Sequence, residues 1–191
     1  MKETDPNNGR IDASKLFLLL CGPQHRVGLM GFAAEARTLA SPQPMAPGAS
    51  RDSMLQNVEG IRSDGKFTNI EDAVRKAIGE LPQPASGEEG QRAVLLMTDG
   101  KVDLGKGAGE DQASLERIRS EMATACIQAQ IHVHCIAFSK QADRQTLEYL
   151  AQATDGLCVS GNDEEELRRL FVRLFEEMGQ PQTAPIRENA V

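Results

Sequence analysis

From residue 92 to residue 178, short apolar runs and amphipathic stretches follow one another without a break, and that alternation limits the fold more than any other feature. RAVLLM (92–97), IHVHCIAF (131–138) and GLCVS (156–160) have the length and apolar content of buried strands. A segment from about Glu110 to Ala129, then DRQTLEYLAQAT (143–154) and DEEELRRLFVRLFEEM (163–178), read as helices, the last opened by Asn162 and Glu165 at capping-box spacing. Strands joined through helices run parallel and need cover on both faces. The expected class is therefore α/β, with a doubly wound, mostly parallel sheet.

The front of the chain is less regular. The Leu-rich IDASKLFLLLC (11–21) is expected as a largely buried helix stopped by Gly22-Pro23, and RVGLMGFA (26–33), whose two glycines suit a helix poorly, as a buried strand. LASPQPMAPGAS (39–50) reads as a loop on its Pro, Ser and Gly content, and RDSMLQNVEGI (51–61) as a short helix. NIEDAVRKAIGEL places Ile70, Ala73, Val74, Ala77, Ile78 and Leu81 along one helical face, and PQPASGEEG (82–90) follows as a polar linker. One domain is expected over residues 1–178, with 179–191 as a flexible tail or linker.

Composition narrows the partners. With 28 acidic and 21 basic side chains the net charge is -7, a field that repels phosphate backbones and argues against nucleic acid. The apolar stretch Leu16–Cys21 is far short of the roughly 20 residues that cross a bilayer, so no membrane span is expected. Cys21, Cys126, Cys135 and Cys158 are widely spaced in apolar or helical surroundings and are expected as buried free thiols.

The triplet Thr-Asp-Gly occurs twice, at 98–100 and 154–156. Asp99 ends a strand, and open α/β sheets take their ligands at the carboxyl ends of strands; the bland alternative is a strand-end Asp in an Asx-turn. Asp155 follows a helix, where Gly156 suits a left-handed C-terminal cap, so the second triplet is expected to be structural. Upstream, GKFTNIEDA (65–73) carries Thr68 and Glu71 at capping-box spacing, which by itself makes Thr68 a helix cap.

The order RVGLMGF, TNIEDAV, AVLLMTDG, IHVHCIAF and LEYLAQATDGLCV resembles the von Willebrand factor A-type domain through most of the chain. That resemblance implies a Rossmann-like doubly wound sheet with a metal-ion-dependent adhesion site at its top. The ligands there come from an Asp-x-Ser-x-Ser motif after the first strand, a Thr before a later helix, and an Asp ending a following strand. By resemblance Thr68 supplies the second element and Asp99 the third. The first motif and its central strand are absent, as though they preceded Met1. Two oxygen ligands would then hold Mg²⁺ or Mn²⁺ weakly or not at all. The implied function is protein–protein interaction, through an acidic residue of the partner bridged by Mg²⁺. The alternative is a metal-independent assembly domain, self-associating through sheet edges left unpaired by the missing strand.

Other signals are weaker. His132 and His134 share a face of one strand, but no third zinc ligand accompanies them. Gly105, Gly107 and Gly109 lack the Gly-Lys-Ser/Thr of a phosphate loop. No nucleophile elbow, Cys/His signature or H-E-x-x-H occurs, so no enzyme is expected; a hydrolase on a Rossmann-like sheet is the remote alternative.

Overall fold

The computed structural model describes residues 9–61, 65–83, 90–139, 141–160 and 164–178. In chain order these form α1 (Gly9–Leu20), β1 (Arg26–Phe32), β2 (Ala36–Pro44), α2 (Ala49–Glu59), α3 (Ile70–Glu80), β3 (Arg92–Thr98), α4 (Ala108–Arg117), α5 (Ala123–Gln128), β4 (Ile131–Ala137), α6 (Arg144–Ala153), β5 (Cys158–Ser160) and α7 (Glu164–Met178). The expected tail 179–191 and the cap residue Asn162 lie outside the described residues.

The second half matches the α/β expectation. β3, β4 and β5 pair in that order, all parallel, with Arg92 opposite Ile131 and Cys135 opposite Cys158. Side chains of β4 alternate between two cores, as a strand buried on both faces requires. Ile131, Val133, Cys135 and Ala137 pack with Ile70 and Val74 of α3, Ile118, Cys126, and Leu147 and Leu150 of α6. Ile136 and then Phe138 pack on the opposite side with Ala13 of α1 and Phe171 of α7. Phe17 of α1 meets both Phe171 and Phe175 edge-on, with ring centroids 5.9 and 6.0 Å apart, which seats α7 against α1. Three of the four cysteines are buried, Cys158 is half-buried, and all are free thiols.

Four expectations are corrected in the remainder. Residues 36–44 are strand, not loop: β2 pairs antiparallel with β1 in a separate two-stranded sheet. Pro42 and Pro44 are tolerated because β2 is an edge strand, where a missing N–H need not break a ladder. β1 is only half-buried, because the hairpin leaves much of its surface uncovered. The long helix begins at Ala108 and is interrupted by a single π turn at Ile118–Met122, which keeps both Ile118 and Met122 buried. α1, expected to be largely buried, is buried on one side: Ile11, Ala13 and Leu18 face the core while Leu19 is 53% exposed. Among the described residues no ladder joins β1 to β3.

The second Thr-Asp-Gly is structural throughout. Thr154 is buried; its hydroxyl donates to Leu150 O at 2.8 Å and accepts from Val133 N at 3.0 Å, fastening the end of α6 to β4. The left-handed residue is Asp155 (φ 52°), not Gly156 as the capping pattern suggested. Gly156 has another job: a Cβ there would stand 2.1 Å from Val133 O, so only glycine permits the chain to pass β4. The ring Nδ1 of His132 bonds with Thr154 O, and that of His134 accepts from Leu157 N, so both histidines anchor this connection. Gly156→Ala should cost at least about 2 kcal/mol through overpacking. Asp155→Gly should be neutral or stabilising by up to about 1 kcal/mol, since it relieves a left-handed side chain. Urea unfolding of both variants checks the pair.

Candidate functional site

The carboxyl ends of β1 and β3 meet at the segment 67–69. Asn69 N donates to Ala33 O at 2.8 Å, and its Nδ2 donates to Ala34 O at 3.1 Å, so this residue holds the β1–β2 turn. One residue earlier, Thr68 N donates to Asp103 O at 2.8 Å and Thr68 O accepts from Asp103 N at 3.2 Å, an isolated antiparallel bridge to the loop after β3.

The cap of α3 is Asn69, whose side chain accepts from Asp72 N at 3.0 Å; the capping-box reading placed it one residue too early. The Thr68 hydroxyl therefore takes no part in capping and makes no hydrogen bond to the described residues. It stands 3.1 Å from where a Cβ on Gly100 would lie. Thr68 is thereby brought beside the residue that follows Asp99.

Asp99 leaves β3 directly after the buried Thr98. Thr98 Oγ1 accepts from Gly100 N at 3.3 Å, which closes the turn, and Ser139 Oγ donates to Asp99 O, which ties this end of β3 to the end of β4. Asp99 itself is half-exposed at the carboxyl edge of the sheet.

Glu71, read from its spacing as the reciprocal half of a capping box, is committed elsewhere. It accepts from Ser114 Oγ at 2.9 Å and Arg117 Nε at 3.0 Å, both on α4, and from Arg75 at 2.5 Å. Burial pushes its carboxyl up, but these hydrogen bonds and the charges of Arg117 and Arg75 outweigh burial and hold it below the ordinary value. Asp72 Oδ2 accepts from Ala36 N at 2.6 Å and so clamps the β1–β2 turn onto α3. Asn69, Glu71 and Asp72 were not singled out by sequence as site supports; the cluster Asn-x-Glu/Asp at a helix start was the available signal, one residue out of frame.

Thr68 and Asp99 offer a hydroxyl and a carboxylate, the hard oxygen donors Mg²⁺ prefers. Among the described residues no three His, Cys, Asp or Glu side chains converge on a point that would hold a metal. A six-coordinate ion held by these two would draw most of its shell from water or a partner.

A three-stranded parallel sheet covered on both faces is the arrangement of a Rossmann-like α/β domain. The pattern of the von Willebrand factor type A domain matches residues 11–173, and the chain belongs to that family. Among solved structures it is similar to a von Willebrand factor type A protein from Catenulispora acidiphila (TM-score 0.70, 15% identity, 93% of this chain and 40% of that one). It is also similar to an aerotolerance-related membrane protein from Bacteroides fragilis (TM-score 0.64, 15% identity, 92% of each chain). A third similar structure is proximal thread matrix protein 1 from the mussel byssus, with a zinc-occupied MIDAS motif (TM-score 0.62, 15% identity, 92% of this chain and 44% of that one). The chain thus spans less than half the length of two of the three. No curated protein matches the sequence significantly. Family membership and these folds support a protein-interaction module. No helix among the described residues is long and apolar enough to cross a membrane.

Two stability outcomes separate cap from ligand. Asn69→Ala should cost about 1 kcal/mol through loss of the cap, whereas Thr68→Ala should stay within about 0.5 kcal/mol. Glu71→Gln should cost about 2 kcal/mol near neutral pH by weakening charge-assisted bonds. Because the folded carboxyl lies below its ordinary value, that contribution is present above about pH 4.5 and is lost as pH falls through the folded value. The gap between wild type and Glu71→Gln should close in acid, as measured by thermal melts from pH 7 to pH 3.

Proposed function

We propose that this domain binds another protein through the end of the sheet where Thr68 and Asp99 lie, with Mg²⁺ or Mn²⁺ bridging to an acidic residue of the partner. The observation that carries this reading is the Thr68 hydroxyl, released from capping by Asn69 and set over Gly100. Thr68 and Asp99 would hold the ion, and a partner carboxylate would add the charge that two protein donors leave short. A bound ion would supply a positive centre that a lone hydroxyl and carboxylate cannot, with the Asp99 carboxylate offsetting its charge and the Thr68 hydroxyl adding a second oxygen. The zinc at the MIDAS motif of the mussel protein supports metal at an equivalent place in a relative. The role is recognition, not catalysis.

A second reading rests on a different observation. β1 pairs only with β2, and β3 only with β4, among the described residues. Unpaired strand edges recruit strands from other chains, so a metal-independent assembly role through these edges competes with metal-bridged capture.

Mg²⁺ titration by calorimetry should give binding on the order of millimolar, lost in Asp99→Ala and weakened in Thr68→Ala. Micromolar binding that survives Asp99→Ala would contradict the two-ligand site. A partner released by EDTA supports the bridged reading, whereas one retained in EDTA, with a mass that rises with concentration in light scattering, supports assembly through the edges.

A further inference from the structure

β3 spends only half of its backbone. Phe138 N donates to Thr98 O at 2.9 Å, with Thr98 opposite Ala137. In a parallel ladder a residue so engaged bonds the neighbouring strand through both its N–H and its C=O, while the residues flanking it turn theirs the other way. Val94, Leu96 and Thr98 are therefore committed to β4, and Ala93, Leu95 and Met97 direct their backbone groups out of the opposite edge. The next strand keeps the same phase, since Cys135 N donates away from β3, to Leu157 O, at 2.8 Å. Among the described residues nothing pairs with the opposite edge of β3.

That edge lies in apolar surroundings. Ala93, Val94, Leu95 and Met97 are half-buried, whereas every residue of β4 except His132 is buried. Leu95 and Met97 pack against the core of Ala13, Ile136, Phe138 and Phe171, which Phe17 of α1 also reaches. Val94 packs against the core of Ile70 and Val74 on the other face, which Phe32 of β1 also reaches. The remaining edges carry safeguards against added strands: β2 holds Pro42 and Pro44, and β5 is three residues long. β3 has seven residues in unbroken register with β4, and neither charge nor proline from Ala93 to Thr98.

We propose that the open edge of β3 takes an extended apolar segment of a partner protein as an added strand. Half-buried N–H and C=O groups need partners, and another extended backbone supplies donors and acceptors at the matching spacing. With an apolar core on each face, the added strand needs apolar side chains on both of its own faces, a continuous run rather than an alternating one. The chain does not supply that run: residues 1–8, 62–64, 84–89, 161–163 and 179–191, which lie outside the described ones, contain no apolar stretch long enough for a strand. A second folded copy would have to bring its own β3 past the β1–β2 hairpin, whose turn is tied beside β3 through Asn69 and Thr68. A single strand of a different protein meets no such obstacle. The inference rests on the edge-recruitment reading above, names its partner, and needs no metal.

The test follows amide hydrogen exchange of the ¹⁵N-labelled chain in EDTA. Two probes are used, the peptide Ac-Lys-Lys-Ile-Val-Val-Leu-Val-Ile-Lys-Lys-amide and Ac-Lys-Lys-Ile-Pro-Val-Pro-Val-Ile-Lys-Lys-amide, which has the same charge and an apolar centre but lacks two N–H donors. In the free chain the amides of Ala93, Leu95 and Met97 should exchange at least about tenfold faster than those of Val94, Leu96 and Thr98. The first peptide should slow those three saturably by at least about tenfold, and the proline peptide should bind at least about tenfold more weakly. Ala93→Pro removes one outward donor at the start of β3 without touching the β4 ladder and should weaken the first peptide by about fivefold; the proline peptide makes the same test with the domain unaltered. Equal exchange of the six amides in the free chain, equal binding of the two peptides, or protection centred elsewhere would each overturn the added strand. Such a failure in a chain whose mass still rises with concentration in EDTA leaves edge recruitment standing on another edge, whereas peptide binding by a chain that stays monomeric supports the added strand and removes self-association.

Discussion

The dipeptide Thr68–Asn69 carries the backbone bonds that bring the two sheets together at the carboxyl ends of β1 and β3. No ladder joins β1 to β3 among the described residues, so their carboxyl ends are tied by Asn69 to Ala33 and by Thr68 to Asp103. Side-chain packing completes the union: α1 shares Phe17 between the core under β1 and the core under β3, while α3 sets Ile70 and Val74 against the parallel sheet and packs on β1 and β2. Hydrogen bonds at one point and apolar contacts along two helices hold what strand pairing does not. The position of Thr68 beside Gly100 is a consequence of that arrangement.

The two Thr-Asp-Gly triplets show how identical residues acquire different work from their setting. At 154–156 the hydroxyl, the left-handed backbone and the missing Cβ are each consumed in passing from α6 to β5. At 98–100 the Thr98 hydroxyl closes the turn and Gly100 admits Thr68 alongside it. A hydroxyl and a carboxylate at this end of the sheet are oxygen donors of the kind a hard cation takes.

Much of this was legible in the sequence where local pattern and tertiary role agree. β3, β4 and the helices after them are marked by apolar runs and helical periodicity, and α3 by a strongly one-sided face, so the α/β class and the placement of Asp99 at a strand end followed directly. β2 was hidden because Ser41, Pro42 and Pro44 disguise an edge strand whose pairing comes entirely from β1. The cap of α3 was misplaced by one residue because Thr68-x-x-Glu71 and Asn69-x-x-Asp72 both satisfy the spacing; tertiary bonds decided, Thr68 being drawn to Asp103 and Glu71 to Ser114 and Arg117. The roles of Asp155 and Gly156 were exchanged because close approach to Val133 cannot be seen along one strand of sequence.

On the proposed reading, Thr68 and Asp99 act as one hard-cation site at the top of the sheet. Paramagnetic relaxation by Mn²⁺ in a ¹⁵N spectrum tests it most directly. Selective broadening of the Thr68, Asp99 and Gly100 amides is expected, reversed by EDTA and absent in Asp99→Ala. Broadening centred on another part of the chain, or the same broadening in Asp99→Ala, would contradict it.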